Sequence, residues 1–251
     1  MPLDFTLNTY GLLLDALEGY KVYTVRRYLE EKPTQGFVIL RHDVDRLPGN
    51  ALRMAGVETG RGVSSTYYFR VGRGLDMRAV GGVCHLGHEA GYHYEVLSKA
   101  NGDRERAIVL FKEELALLRS ACEVKTISRH GRPLSRFDNG VIWDESSFKP
   151  YGVLGDAGLS IVGVPYYTDA GRSWDGRNSI RDRAKPAEAY SRIDVRDSFD
   201  VIELLRSRTY DGLYLNIHPE RWVGNAFEWC VSYSIDLCFN IGKRIVNSVI
   251  N

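Results

Sequence analysis

Short runs rich in β-branched and aromatic residues alternate along this chain with longer stretches of helical hydrophobic spacing. The runs cover residues 37–40, 65–69, 91–94, 125–129, 159–165, 190–195 and 212–217, each with the length and composition of a strand. Helical patterns lie between them at 50–59, 104–121 and 198–206. An amphipathic opening at 10–20 and 22–29 precedes the first run, and a long helical pattern over 225–249 closes the chain. Strand and helix in turn imply parallel pairing through crossovers, hence a barrel or an open doubly wound sheet. Neither a G-x-G-x-x-G opening a helix nor a Walker-type loop follows the first run, which removes the usual reason for a nucleotide-binding open sheet. The pattern therefore predicts an α/β barrel of about seven parallel strands, in one domain over residues 1–251, an ordinary length for such a fold.

In a barrel the reactive groups stand at the C-terminal strand ends. The first run leads directly into Arg41-His42-Asp43-Val44-Asp45. On an extended strand Asp43 and Asp45 point to one side and His42 to the other. Two carboxylates converging there repel each other unless a cation or a shared proton lies between them. His93 and Glu95 end the third run, His130 follows the fourth and His218 follows the last. Four strand ends thus carry such groups in a chain with only six histidines, which favours a site over four unrelated turns.

Composition narrows the partner. A formal net charge of +1 gives no global field to draw nucleic acid or an acidic membrane, so a small molecule or glycan is expected. Cys84, Cys122, Cys230 and Cys238 form no C-x-x-C pair and read as reduced thiols. Cys230 and Cys238 fall on one helical pattern, about 12 Å apart along its axis, too far for a bridge. No basic-then-apolar leader opens the sequence and no apolar run is long enough to span a bilayer, so a cytoplasmic protein without a membrane span is expected.

At these residues the chain resembles the polysaccharide deacetylase family, NodB-like carbohydrate esterases and related C–N hydrolases on a distorted (β/α) barrel. The resemblance covers roughly residues 36–222 as a series of short motifs, followed by the helix at 225–249. It implies that Asp43 is the general base and Asp45 a metal ligand, although Val44 holds the position next to Asp43 where the family has its second Asp. Gly87-His88-Glu89-Ala90-Gly91-Tyr92-His93 is similar to the family's G-H-E-x-G-x-H sequence, which makes His93 a metal ligand and His88 a turn-ordering residue. The family's further ligand His is replaced by Leu97. Glu95 and His130 are the two candidates to replace it, and His130 is preferred because it brings an imidazole. Ser128-Arg129-His130-Gly131-Arg132-Pro133 resembles the motif whose Arg holds the catalytic Asp, a role that passes to Arg132. The segment 167–174 resembles loosely a groove motif, giving Asp169 and Trp174 as one wall, though Asp169-Ala170-Gly171 reads equally well as a turn. Leu213-Tyr214-Leu215-Asn216-Ile217-His218-Pro219 resembles the strand that ends in the catalytic acid, His218. Trp222, in a loop-like segment, is a further groove candidate. His85 has no motif partner, and His42 faces away from the acids as a supporting residue.

Hydrolysis of an acetamide needs an activated water, a stabilised oxyanion and a proton for the departing amine. The expected activity is metal-dependent removal of an acetyl group from an N-acetylated sugar or glycan precursor. Zn²⁺ suits the donor set, with Co²⁺, Mn²⁺ or Ni²⁺ as alternatives. Two other readings stand beside it: hydrolysis of another small amide or ureide on the same fold, and a non-catalytic barrel that binds a glycan or a partner through a degenerate metal site. Leu97 favours the last; the joint presence of Asp43, Asp45, His93 and His218 opposes it.

Overall fold

The computed structural model describes residues 3–132, 135–143, 147–176 and 192–250, with side chains described as far as residue 242. In chain order its elements are α1 (Leu7–Asp15), β1 (Lys21–Tyr23), α2 (Val25–Glu31), β2 (Phe37–Val44), α3 (Pro48–Thr59), β3 (Thr66–Phe69), α4 (Met77–His85), β4 (Glu89–Tyr94), α5 (Val96–Lys99), α6 (Arg104–Arg119), β5 (Thr126–Arg129), β6 (Gly155–Asp156), β7 (Tyr166–Thr168), α7 (Ser198–Ser207), β8 (Gly212–Ile217) and α8 (Ala226–Ile250). Most helices start where a short polar side chain satisfies an open backbone N–H. Thr6, Thr24, Asp76, Asp103 and Asp197 each accept such a bond, whereas α3 begins at Pro48, which has no N–H to satisfy.

All described strand pairs are parallel, in the order β6-β5-β4-β3-β2-β8-β7. β1 and β3 share one edge of β2, β1 along Phe37–Ile39 and β3 along Arg41–Val44. The sheet is curled into a half-barrel. Tyr214 of β8 donates its hydroxyl to the carbonyl of Ala157, 3.2 Å away and just beyond β6, although the two strands lie near opposite ends of the pairing path.

Alternation along the strands separates an inner from an outer face. Phe37, Ile39, Tyr68 and Tyr214 pack together inside with Ile161 and Val164. Val38 and Leu40 face outward and pack with Leu213, Leu215 and α7, and Tyr67, Phe69, Tyr92 and Tyr94 face the helices on the other flank. Gly91 is required by the inner packing, because a Cβ there would lie 2.3 Å from the Tyr68 ring.

The expected strands at 37–40, 65–69, 91–94, 125–129 and 212–217 correspond to β2, β3, β4, β5 and β8. The run 159–165 is not a strand. Ile161 and Val164 are apolar because they plug the barrel interior, and the pairing segments flank them as β6 and β7. Of the run 190–195, residues 190 and 191 lie outside the described residues, and 192–195 pair with no described strand. Val195 is buried beneath α7 instead, and the Ile193 carbonyl accepts the Tyr167 hydroxyl. The expected helix at 22–29 starts only at Val25, after β1, because Thr24 caps it.

α8 is inverted relative to an ordinary surface helix. Its buried residues Ser232 and Asp236 are polar, while Phe227, Val231, Tyr233, Ile235, Leu237, Phe239 and Ile241 are exposed. Among the described residues no helix is long and apolar enough to cross a membrane, and the four cysteines carry no disulfide.

Candidate active site

Asp43 is the second of two residues that β2 turns inward near its end. Arg41, the first, binds it through two bonds, Nε to Oδ1 at 2.9 Å and Nη2 to Oδ2 at 2.6 Å. Asn216 of β8 adds a third donor at 3.0 Å. Burial alone would raise the Asp43 carboxyl, but the guanidinium and the neighbouring His93 outweigh it and hold the group well below the usual carboxylate range. Arg132, expected to hold this Asp, does not do so. It sits beyond β5 with a backbone φ of +36° and lies 3.9 Å from Glu95. Arg41 takes the role because i and i+2 share a strand face, a spacing visible in the sequence.

Asp45 follows the strand and meets two imidazoles. Its Oδ1 lies 3.4 Å from His93 Nε2 and 3.5 Å from His130 Nε2, and this buried oxygen accepts no hydrogen bond from any described residue. All three donor atoms lie within 4.8 Å of one another. Donors at the corners of a tetrahedron with metal bonds of about 2.0–2.1 Å stand about 3.3–3.4 Å apart, so the spacing about Asp45 fits one divalent ion. A buried carboxylate oxygen without a partner is costly unless a cation meets it.

Both imidazoles are turned to present Nε2. His93 Nδ1 bonds the carbonyl of Ser128 at 3.1 Å, and His130 Nδ1 bonds Glu95 at 2.9 Å. Such outer bonds fix the tautomer and the ring plane of a metal-binding His. Burial lowers the His130 pKa and favours the neutral, ligating form. His93 is raised despite its burial, because Asp43 and Asp45 lie beside it. Glu95 is outside the donor cluster. Arg70 binds both its oxygens at 2.9 and 3.0 Å; burial would raise its pKa, but the His130 bond and the Arg70 charge bring it to about 2. Leu97 lies in α5 and packs into the core.

His218 follows β8 with Nδ1 2.6 Å from Asp169 Oδ1. Asp169 is fully buried and also accepts Trp222 Nε1 at 2.9 Å and Arg221 Nη1 at 3.3 Å. Burial and Arg221 depress the imidazole, yet Asp169 and the more distant Asp45 bring it up to about 9. His218 is thus a cation at neutral pH, near enough for its charge to lower both Asp43 and Asp45.

Three expected groove residues are placed differently. Asp169 is no wall, because it lies behind His218 and orients it. Trp174 and Trp222 have no exposed surface; Trp174 donates to Ser198 beneath α7, and Trp222 anchors Asp169. Their loop positions suggested exposure, but an indole in a short loop buries a large apolar area and finds an N–H acceptor inside.

The other histidines stand apart from this cluster. His42 faces outward, 2.8 Å from the buried Glu58, which also accepts the hydroxyls of Ser65 and Tyr67 at 2.7 and 2.8 Å and that of Tyr10. His88 accepts the backbone N–H of Ser65 at 3.2 Å and fixes the entry to β3. His85 is exposed at the end of α4.

Arginines from three site loops converge on Asp236 of α8. Arg46, beside Asp45, reaches it at 2.9 Å, Arg172 at 3.1 Å and Arg221 at 3.8 Å. Leu47, Arg132 and Arg172, in the loops after Asp45, His130 and Asp169, hold positive φ without being glycine, backbone strain of the kind that gathers at functional sites. The sequence offered no sign of the Asp236 link, since nothing in α8 carries a motif.

β2, β4, β5 and β8 thus bring Asp43, Asp45, His93, His130 and His218 to one end of a parallel half-barrel. No family model matches the chain, and no curated protein matches it. Among solved structures it is similar to a CE4 family pseudoenzyme from Bacillus anthracis, with 15% identity and a TM-score of 0.44 over 84% of this chain and 61% of that one. A mutant described as that pseudoenzyme with restored enzymatic activity aligns at 14% identity, TM-score 0.44, over 84% of this chain and 64% of the other. A Streptococcus mutans CE4 esterase aligns at 13% identity, TM-score 0.46, over 88% and 87% of the two chains. The chain thus spans about three fifths of the length of the Bacillus anthracis protein.

Proposed function

We propose that this protein is a metal-dependent hydrolase of the polysaccharide deacetylase kind that removes an acetyl group from an N-acetylated sugar or glycan precursor. The observation that carries the reading is the unpartnered Asp45 Oδ1 facing His93 Nε2 and His130 Nε2, with an ionised Asp43 on one side and a protonated His218 nearby. Asp45, His93 and His130 would hold a divalent ion, and such an ion supplies Lewis-acid polarisation of an acyl carbonyl and makes water more acidic. Zn²⁺ suits one carboxylate and two imidazoles.

The chain's own residues supply the remaining steps. Asp43, fixed by Arg41 and Asn216, stays ionised at neutral pH and takes the proton of the attacking water. His218, fixed through Nδ1 by Asp169, makes no described hydrogen bond at Nε2 and donates its proton to the departing amine, which leaves poorly as an anion. Asp169 holds the ring and stabilises its charged form, the part an acid plays behind a catalytic His. The unit comprises the barrel and α8, whose Asp236 ties the loops together.

The test is acetate release from N-acetylglucosamine oligomers by protein loaded with Zn²⁺, Co²⁺, Mn²⁺ or Ni²⁺. Turnover that disappears in Asp43→Asn with metal still bound supports the reading. Full metal occupancy without turnover on any N-acetyl sugar opposes it.

A further inference from the structure

A cavity of about 1090 Å³ opens directly beside the site, with Asp45 and His130 in its lining. The segment around Phe137 and the helix α8 also contribute to its lining. Ile235, Cys238, Phe239 and Gly242 line it from successive turns of α8, beside Ser234, Asp236 and Asn240, and Phe137 adds an apolar ring beside Ser135 and Arg136. Ile235 and Phe239 are 40% and 51% exposed, so this surface is open to a ligand. An alkyl or aryl group transfers favourably from water onto the apolar members of this lining, Ile235 and Phe239.

We infer that the substrate carries an apolar group attached to its N-acetylated sugar, and that this group lies along Ile235 and Phe239 while the acetamide reaches Asp43 and Asp45. The inference rests on the deacetylase reading. What commits the groove to a substrate is its continuity with the reacting groups: one and the same cavity is lined by Asp45 and His130 and by Ile235 and Phe239 of α8. The wall is also held in register with the chemistry. Asp236, on the same helix, binds Arg46 next to Asp45 at 2.9 Å and faces Arg221, in the loop after His218, at 3.8 Å, and Arg46 also lies over the Phe239 ring at 5.0 Å. A helix tethered to two site loops keeps its neighbouring apolar residues at a set distance from the reacting atoms, as a specificity wall must be.

The experiment compares kcat/KM for free N-acetylglucosamine and its octyl glycoside on the metal-loaded protein. Burial of two methylene groups is enough for about tenfold, so the octyl glycoside should be favoured by at least about that factor. Phe239→Ser should bring the ratio of the two kcat/KM values toward unity, while Leu237→Ser, on the flank of α8 outside the cavity lining, should keep it. Equal kcat/KM for both substrates in the native protein overturns the inference and leaves the deacetylase reading standing. Should neither be hydrolysed, the deacetylase reading falls and calorimetry decides the groove. Octyl glycoside binding that exceeds free-sugar binding and weakens in Phe239→Ser upholds an apolar-group site; equal binding overturns it.

Discussion

Arg41 and Asp43 stand two residues apart on the inner face of one strand and bind each other through two bonds of 2.9 and 2.6 Å. The pair makes Asp43 a fixed, ionised acceptor rather than a mobile acid. Both partners are almost fully buried, so removing either leaves an uncompensated charge. Arg41→Met is expected to cost about 3–5 kcal/mol of stability together with most of the activity. Urea unfolding and a steady-state assay of the same preparation check it; a stable variant of native activity would show that Asp43 needs no such partner.

His218 gives a pH dependence with a definite sign. Its pKa in the folded protein, about 9, lies above the ordinary value of about 6.5. The stabilisation it gains from Asp169 is therefore fully present below about 6.5 and is lost as pH rises through about 9. In the metal-free protein an NMR titration should place the His218 imidazole well above the ordinary value, and Asp169→Asn should move it down. In the loaded enzyme His218→Gln should lower kcat by about 10²–10⁴-fold with metal content unchanged.

Glu95 acts through His130. Glu95→Gln keeps the shape but weakens the bond that orients the ring, so metal affinity should fall about 10–100-fold while the fold survives. Competition against a chromophoric chelator reads this directly. An unchanged affinity would mean that packing alone orients His130.

Glu58 provides a contrast on the outer face of the sheet. It gathers His42, Ser65, Tyr67 and Tyr10 with no exposed surface. Glu58→Ala strands several buried donors at about 1–3 kcal/mol each, and should lower the unfolding midpoint sharply. Metal affinity measured at a temperature where the variant is folded should stay near the native value.

Much of this was legible because strand alternation and strand-end position are local properties. The runs at β2, β3, β4, β5 and β8 stood out because residues of both faces are buried there, and the acids and histidines stood out because they interrupt those runs. What was hidden depends on contacts between distant segments. Residues 159–165 look like a strand because Ile161 and Val164 are buried, yet burial came from plugging the interior and not from pairing. Loop position marks Trp222 and a loose motif resemblance marks Asp169 as groove residues, and only the fold shows Trp222 donating to Asp169 behind His218. Spacing alone leaves Glu95 and His130 both open as the further ligand, and the Arg70 bonds that occupy Glu95 are contacts no sequence pattern encodes.

The central claim is that His130 joins Asp45 and His93 in holding a divalent ion, and metal titration of the native protein and three single variants tests it most directly. The native chain should bind about one Zn²⁺. Asp45→Ala, His93→Ala and His130→Ala should each lose tight binding while keeping the native circular dichroism spectrum. Native affinity retained in His130→Ala, or no binding by the native protein, would contradict the account.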